Sequence, residues 1–547
     1  MEDLYDKRSM ASDRTLQRLS PLLTGMNKVT HASRPVRVLH QSLRDFLVVR
    51  SELPPQFARF HISERTHREA LLVLCLETLN RDMKTDIPVA GYLPGEDQGQ
   101  SGAPKMTKGS IPEALWYACR FWPDHLCDTE RSNEIELKLT EFMERHFIRW
   151  LEVTASYGKC RELGSVWKWI EACTDAQKQP QFETGYLKYA DACMELIQLL
   201  NYDDRLEEAL ITNREATVLY RKLSNPGSTE VSHKLARSLA IMDIFLNKLG
   251  QKKEALVVAQ EAVEIYREIS AKQPDTYNFG LAISLLTLSN CLSGMGQETE
   301  ALVAIEEAVR MHQQLAAQDP ANNPELAMSL NDLSVRLWSM GQSQKAIVTV
   351  EEVINMRRQL AKEGPAKHSP DLADSLNNLS VYLSVVGQRE EALKAIEEAV
   401  QIGRRLVADR AVANIPHLAL YLNSLSNYLG DLGQNQEALA AIEESVHIYR
   451  RLATERPAAY NFCLAGSLET LSVKLSTVGQ KHEALAAIGE SLEMRRRLAA
   501  EEPAAYNPDL TESLDELFSR LSDMDRNEEA LLAIKEAVEM RRQLATE

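Results

Sequence analysis

Residue types that could carry out chemistry are present, but their spacing forms no catalytic or metal-binding motif. A phosphate-binding loop needs Gly-x-x-x-x-Gly-Lys-Ser/Thr, because its backbone N–H groups and lysine surround the phosphates and its hydroxyl binds Mg²⁺. The only Gly-Lys pair is Gly158–Lys159, which Cys160 follows, and Val153 stands where the first glycine belongs. No His-Glu-x-x-His or Gly-x-Ser-x-Gly occurs. The sequence therefore predicts no enzyme, no catalytic residues, no metal site and no cofactor.

Cysteine usage and hydropathy favour a cytoplasmic protein without a membrane segment. The eight cysteines are scattered, form no Cys-x-x-Cys pair and mostly fall among apolar residues at helical spacing. We interpret them as buried, reduced thiols. The N-terminus has no apolar signal segment, and no apolar run approaches the ~18 residues that a membrane helix needs.

The charge of the chain limits its partners. The formal net charge is −17, and because the charges of residues 1–150 cancel, the excess acid lies after them. An acidic surface repels phosphate backbones, so nucleic acid is not an expected partner. Basic segments of a protein partner would be attracted.

A block of 45 or 46 residues recurs from the middle of the chain to its end. Three copies read GQREEALKAIEEAV, GQNQEALAAIEESV and GQKHEALAAIGESL. A fixed period of this size is typical of one helical unit stacked many times. The position that opens each copy, here called the turn position, is occupied by Asp204, Gly250, Gly296, Gly341, Gly387, Gly433, Gly479 and Asp525.

Each copy predicts two antiparallel helices. In the copy around Gly387, four leucines between Leu372 and Leu383 form one apolar stripe, and a second stripe runs from Ala392 to Val400. A glycine between two such stripes is typical of a left-handed residue that ends a helix. Small residues seven before and five after the turn position predict close helix packing. Prolines are expected to end most second helices, at Pro274, Pro320, Pro365, Pro457 and Pro503, with Ala411 as an exception.

Paired basic residues such as Arg404–Arg405 also recur, one to two turns after the acids of the second helix. We interpret them as partners of acids within a helix and between repeats, rather than as nucleic-acid contacts.

The pattern resembles the tetratricopeptide repeat, and its long units resemble those of kinesin light chains. The resemblance covers residues 187–547 and implies a mainly α fold, a right-handed α-solenoid of about eight tetratricopeptide helix pairs. It also implies that partner proteins or peptides bind on the inner surface. The residues that carry it in one copy are Leu376, Leu379, Ser380, Leu383, Gly387, Ala392, Ile396 and Ala399.

The resemblance identifies a candidate partner-binding groove. In tetratricopeptide arrays the row one residue after the leading stripe leucine lines the groove, and asparagines there hold the ligand main chain, since an amide both donates and accepts. Solvated polar faces are the alternative interpretation. Trp338 lies on the same face, as a ligand anchor or as packing between repeats. The row comprises Ala240, Leu286, Asn331, Asn377, Asn423, Glu469 and Asp515, whose two acids would favour lysine or arginine in the ligand.

The first 180 residues show no repeat. We expect a winged-helix-like and helical segment at 1–86, a flexible linker at 87–110 and a Trp-rich helical segment with its own core at 111–180. The phrases VRVLHQSLRDFL and LWYACRFWPDHL resemble the C-terminal, winged-helix and helical part of a fungal-type NACHT (STAND-class) NTPase. The resemblance implies that His40 is the counterpart of a nucleotide-sensing histidine, with a structural role for His40 as the alternative.

Two functions remain open at this point. The first is a protein–protein interaction scaffold that binds a partner protein or peptide, basic in character, in the groove of an acidic solenoid. The alternative is the regulatory or sensor part of a STAND-type switch that lacks its own nucleotide-binding core. Because no polar closing helix follows the last pair, we also expect self-association through the uncapped C-terminal helices.

Overall fold

The chain is almost entirely helical where the structure, a computed structural model, describes it. Besides two short strands, the described residues are 64–83, 87, 90–93, 102–107, 109–127, 129–158, 160–173, 179–203, 205–224, 228–408, 415–501 and 503–544. The helices are α1 Glu64–Asp82, α2 Glu113–Cys127, α3 Asn133–Arg145, α4 Phe147–Ser156, α5 Gly164–Cys173, α6 Gln179–Tyr202, α7 Leu206–Leu223, α8 Thr229–Lys248, α9 Lys252–Lys272, α10 Pro274–Gly294, α11 Glu298–Gln318, α12 Asn323–Ser339, α13 Ser343–Glu363, α14 Pro365–Val385, α15 Arg389–Ala408, α16 Ile415–Asp431, α17 Asn435–Glu455, α18 Pro457–Thr477, α19 Lys481–Glu501, α20 Pro503–Ser522 and α21 Asn527–Leu544, with a 3₁₀ turn at Pro320–Asn322.

The two strands pair antiparallel near the N-terminus. β1 is Leu23–Thr24 and β2 is Arg37–Val38, with Leu23 opposite Val38. Most of the segment predicted to be winged-helix-like, including His40, lies outside the described residues.

The helices fall into two compact units, Met1–Met295 with α1–α10 and Gly296–Glu547 with α11–α21. From α6 onward the helices alternate as the first and second helices of repeated pairs. Within each unit, a second helix packs on the first helix of its own pair and on that of the next. The mainly α fold of stacked helix pairs predicted from the sequence is confirmed.

The turn positions that the structure describes, from Gly250 onward, end the first helices of their pairs as predicted. Its glycines have left-handed φ values, for example 71° at Gly341 and 87° at Gly387. Asp525 is the sole described residue other than glycine with a positive φ, at 59°. Glycine adopts this conformation without the Cβ clash that other residues meet, and aspartate is among the residues that tolerate it. The local geometry therefore explains why glycine recurs and why Asp525 can replace it.

The small residues beside the turn are buried, as the spacing predicts. Ala301, Ala346 and Ala392 are fully buried on second helices, and Ser380 and Ser426 on first helices.

The prolines lie where one second helix has just ended and the next first helix begins. Pro274, Pro365, Pro457 and Pro503 are the first residues of α10, α14, α18 and α20. Proline lacks an N–H group that the first helical turn would leave unpaired, and its φ suits this position. A single residue separates the second helix from the proline in these connections, for example Gln273 before Pro274. The connection with Ala411 lies outside the described residues.

The Trp-rich helices share one core with the first repeats of unit 1. Trp122, Trp150 and Trp167 are almost fully buried, and the rings of Phe147 and Tyr189 lie 4.3 Å apart, centroid to centroid. The same apolar cluster continues into α8 and α9. The tryptophan cluster therefore shares its core with the repeats, because Tyr186 and Tyr189 of α6 supply aromatic partners for it.

The described parts of the predicted linker are packed on this core. Leu93 and Ala103 are buried, and Leu93 N and Gly91 N donate to the buried Glu152 carboxylate at 2.8 and 2.7 Å. Met106 N donates to Ser156 O at 2.8 Å.

Successive second helices are joined by a ladder of arginine–glutamate ion pairs, each 40 residues apart in the chain. The exposed partners give each rung only about 0–1 kcal/mol, and the rungs recur with the period of the repeats. The pairing between repeats that was predicted for the paired arginines is confirmed here. The rungs in unit 2 are Arg358–Glu398, Arg404–Glu444, Arg450–Glu490 and Arg496–Glu536, and those in unit 1 are Arg214–Glu254 and Arg221–Glu261.

Candidate functional site

The predicted groove row of unit 2 lies half-buried along the line where neighbouring first helices meet. Each member precedes its turn position by ten residues, and Asn331 and Glu469 contact a serine on the first helix of the next pair. Three members form hydrogen bonds or ion pairs within the chain, and two have a side-chain oxygen without a partner.

Asn331 is engaged by the next repeat. Its Oδ1 accepts a hydrogen bond from Ser375 Oγ at 3.1 Å. Ser375 in turn accepts from Arg357 Nη1 at 2.5 Å, and the same nitrogen donates to Asp371 O at 2.6 Å. Desolvation lowers the pKa of the buried Arg357 guanidinium. The amide oxygen of Asn331 is therefore part of an internal network.

Glu469 is the centre of a larger network. Its carboxylate accepts from Arg495 Nε and Nη2 at 3.0 and 2.9 Å, from Ser491 Oγ at 3.2 Å, and from Ser513 Oγ. The Arg495 side chain is only 5% exposed and also pairs with Asp509 at 3.2 Å. The Glu469 charge is therefore balanced inside the protein.

Asp515 is paired as well, although at the surface. Arg541 of α21 donates to both of its carboxylate oxygens, at 3.2 Å for Nη1–Oδ1. These two acids were expected to favour lysine or arginine in the ligand. Both carboxylates already have arginine partners within the protein.

Asn377 and Asn423 differ from the other members. The Oδ1 atom of each is buried, and among the described residues neither accepts a hydrogen bond. Both side chains remain partly accessible. A buried amide oxygen without a donor costs about 1–3 kcal/mol, so these two amides are the unsatisfied members of the row.

Trp338 packs between repeats. Its ring is stacked on that of Tyr382, with centroids 4.4 Å apart and an interplanar angle of 17°. Nearby first-helix residues expose apolar side chains, namely Val381, Leu420 and Val473, at 36%, 44% and 38%. The accessible face of the first helices in unit 2 is thus apolar as well as polar.

The sequence analysis missed a buried acid that joins the N-terminal helices to the repeats. Glu215 accepts from Leu163 N at 2.7 Å and from Trp167 Nε1 at 2.8 Å, and burial raises its pKa. It lies eleven residues after its turn position, the position that holds the ladder glutamates in later repeats. In the first repeat α5 takes the place of a preceding second helix, and the repeat register could have singled out this acid.

A second missed acid is Asp243 of α8, which faces α10 in unit 1. It is 1% exposed, and its Oδ1 accepts from Cys291 Sγ at 2.8 Å and from Asn247 Nδ2 at 2.5 Å. Desolvation raises its pKa to about 6. No basic residue forms an ion pair with it in the described part of the chain.

We expect unit 1 to lose stability as the pH rises from about 4 to about 6. In this window the folded state keeps the Asp243 proton that the unfolded state has released, so the stabilisation present at low pH is lost as the folded group ionises. The effect is about 3 kcal/mol. Urea unfolding of wild type and Asp243→Asn across this range measures it: the variant should lack the decline, and parallel curves would contradict the assignment.

Other chemistry is not indicated by the described residues. They contain no group of three or more histidine, cysteine or acidic side chains that could hold a metal ion. Within the same residues, no helix is both long and apolar enough to cross a bilayer.

Comparison with known families identifies the repeat. The sequence profile of the tetratricopeptide repeat matches residues 372–409 and 418–453. The profile of anaphase-promoting complex subunit 5 matches residues 186–276, 270–331 and 509–546. No curated protein sequence matches the chain.

Solved structures of helical-repeat proteins are also similar. BtubC (BKLC) from P. vanneervenii is 19% identical over 45% of this chain and 91% of its own, with a TM-score of 0.38. Repeats of a putative kinesin light chain from Podosopora anserina are 23% identical over 42% and 99%, with a TM-score of 0.33. A Rap protein complexed with competence and sporulation factor is 13% identical over 76% and 99%, with a TM-score of 0.43.

The profile match falls on α14–α17, the helices whose turn glycines, small residues and stripes suggested the resemblance. Residues 372–409 and 418–453 therefore match the tetratricopeptide repeat, within the stacked helix pairs of unit 2.

Proposed function

We propose that this protein is a non-enzymatic scaffold whose second unit binds an extended segment of a partner protein along its first helices. Asn377 and Asn423 would pair with the main chain of that segment, and the exposed Val381 and Leu420 would contact its side chains. The observation that carries the proposal is the pair of buried amide oxygens without a donor. An extended peptide presents N–H groups at regular intervals, which suits two amides one repeat apart.

The preference for a basic partner rests on the net charge. With Glu469 and Asp515 bound to arginines, no single carboxylate of the row is proposed to select lysine. The charge of −17 would instead attract basic segments over a distance and raise the association rate at low salt. A cytoplasmic location and self-association through the last helices stay predictions.

The double variant Asn377→Ala/Asn423→Ala tests the proposed peptide contacts. We expect it to lose partner capture at least tenfold, because the ligand N–H groups would be left without acceptors. Affinity capture with the full chain, quantified by mass spectrometry, gives the comparison, and circular dichroism confirms that the fold is retained.

Asn331→Ala is the matched control, since its amide oxygen already accepts from Ser375. This variant should change the free energy of unfolding more than it changes the amount of partner captured. Capture that survives the double variant would show that the amides do not hold the partner.

The second candidate is a regulatory part of a STAND-type switch. The observation that favours it is the continuous core that couples α2–α5 to the first repeats, through which binding in the repeats could act on upstream helices. Under this proposal the chain would dock on an NTPase domain from another chain, and His40 would approach the nucleotide. Micromolar ADP binding by the chain, lost in His40→Ala, would favour this candidate over a scaffold.

A further inference from the structure

A cleft of about 360 Å³ opens in unit 1 between α2 and the end of α4. Its walls include Trp116 and Arg120 of α2, Thr154 and Tyr157 at the end of α4, and Arg161 beyond it. This volume falls in the range of small-molecule sites, about 300–1,000 Å³. Neither candidate function above uses it.

The two arginines of the cleft are in different electrostatic situations. Arg161 donates to both carboxylate oxygens of Asp124, at 2.6 and 3.1 Å, and to Arg120 O at 2.8 Å. It is therefore fixed and its charge is balanced. The exposed Arg120 guanidinium has no carboxylate at ion-pair distance among the residues that the structure describes. Counting only the wall residues that the structure describes, the cleft thus carries one unbalanced positive charge, on a chain whose net charge is −17.

Aromatic rings hold Arg120 in place. Its guanidinium lies 5.3 Å from the centroid of the Trp116 ring and 5.2 Å from that of Phe121. Trp116 is only half-buried, so part of its indole remains accessible from the cleft. A planar cation on an aromatic face leaves its N–H edge free, and that edge matches a carboxylate in bidentate geometry.

The thiols of the cleft do not make it a reactive site. Burial raises the pKa of Cys160 to about 12 and raises that of Cys119 further. Both are therefore neutral thiols rather than nucleophilic thiolates at physiological pH. The polar groups of the cleft can therefore bind a ligand, but neither thiol can act as a nucleophile toward it.

We propose that this cleft binds a small anion with a flat aromatic body, an aryl carboxylate in chemical class. The carboxylate would pair with the free edge of Arg120, and the ring would lie against Trp116 and the apolar wall of the cleft. Arg161, held by Asp124, would form a rigid side of the site. The affinity would come from one charge-assisted contact and from ring burial.

Two probes of nearly the same shape test the proposal: naphthalene carboxylate and the neutral naphthyl alcohol. In calorimetric titrations of the full chain, we expect one-to-one binding of the carboxylate, at least tenfold tighter than the alcohol. Arg120→Gln should remove this difference, and Arg120→Lys should retain part of it, since charge remains but the bidentate edge is lost. Arg145→Gln, which alters an exposed arginine of α3 outside the cleft, should leave both affinities unchanged.

Equal affinities for the two probes in the wild type would overturn the proposal, as would an Arg120→Gln variant that binds the carboxylate normally. The absence of binding at millimolar probe would do the same. The proposal is independent of the partner-binding role: Asn377→Ala/Asn423→Ala should bind the carboxylate like the wild type.

Discussion

Replacing Arg495 by alanine is expected to lower the free energy of unfolding by about 3–5 kcal/mol. Arg495 is 5% exposed as a side chain and forms ion pairs with Glu469 and Asp509, while its guanidinium lies 5.1 Å from the centroid of the Phe462 ring. Its loss would leave two carboxylates close together without their cation. Urea unfolding followed by circular dichroism gives the change, and hydrogen exchange should locate it in α18–α20.

Arg497→Ala is the matched control, two residues away on the same helix. Its side chain is 80% exposed, and its partner Glu493 lies 3.9 Å away. We expect a change of about 0.5 kcal/mol or less. Similar losses for the two variants would show that the Glu469 network is not the source of the stabilisation.

The second large effect is expected at one pair of neighbouring positions, on successive helices, where the usual large and small residues are interchanged. Sixteen residues after the turn position the second helix carries a large side chain, which packs near a serine of the next first helix. Gly403 and Tyr421 reverse this arrangement. A Cβ atom at Gly403 would meet Leu418 Cδ1 at 3.3 Å and Tyr421 Cδ2 at 3.4 Å. The usual large residues are Tyr266, His312, Arg357, Tyr449 and Arg495, and the usual serines are Ser284, Ser329, Ser375, Ser467 and Ser513.

Each single substitution at this pair should be costly and the double should be mild. Tyr421→Ser removes a ring that is 2% exposed and bonded to Asp374, at a cost of about 3–5 kcal/mol. Gly403→Tyr overpacks the same space, at about 1–3 kcal/mol. Together they recreate the Tyr449–Ser467 arrangement of the following repeat.

A double-mutant cycle of urea midpoints measures the coupling between the two positions. We expect the double variant to be more stable than the sum of the single effects predicts, by at least about 1 kcal/mol. Simple additivity would mean that the two positions do not share one packing space.

Much of the fold could be predicted because one repeat constrains the others. The glycines of the turn position have left-handed φ values, and the prolines stand where a helix begins. These features follow from local chain geometry, and eight copies of the pattern average out the exceptions. The ends of the second helices followed from the same reasoning.

The candidate site was less predictable, because its chemistry depends on contacts between repeats. Helical periodicity places Asn331 and Asn377 at equivalent positions. It does not show that Asn331 Oδ1 accepts a hydrogen bond from Ser375 while Asn377 Oδ1 has no donor. Likewise, Glu469 resembles a free acid until Arg495 from the second helix of its own pair is placed beside it. Glu215 and Asp243 were missed because their partners are distant in the chain.

Each arginine of the ion-pair ladder is separated from its glutamate by the same number of residues. This constant separation limits which insertions and deletions in the sequence preserve the ion pairs. Deleting residues 388–433 would remove one whole period, together with both Gly403 and Tyr421, and would leave Arg358 and Glu444 40 residues apart in the shortened chain. Deleting a single residue between an arginine and its glutamate would instead displace the acceptor of that rung, while the later rungs would keep their separation of 40 residues. Recombination between copies can therefore excise or duplicate entire periods and keep every rung matched, whereas a small insertion or deletion between an arginine and its glutamate leaves that rung mismatched.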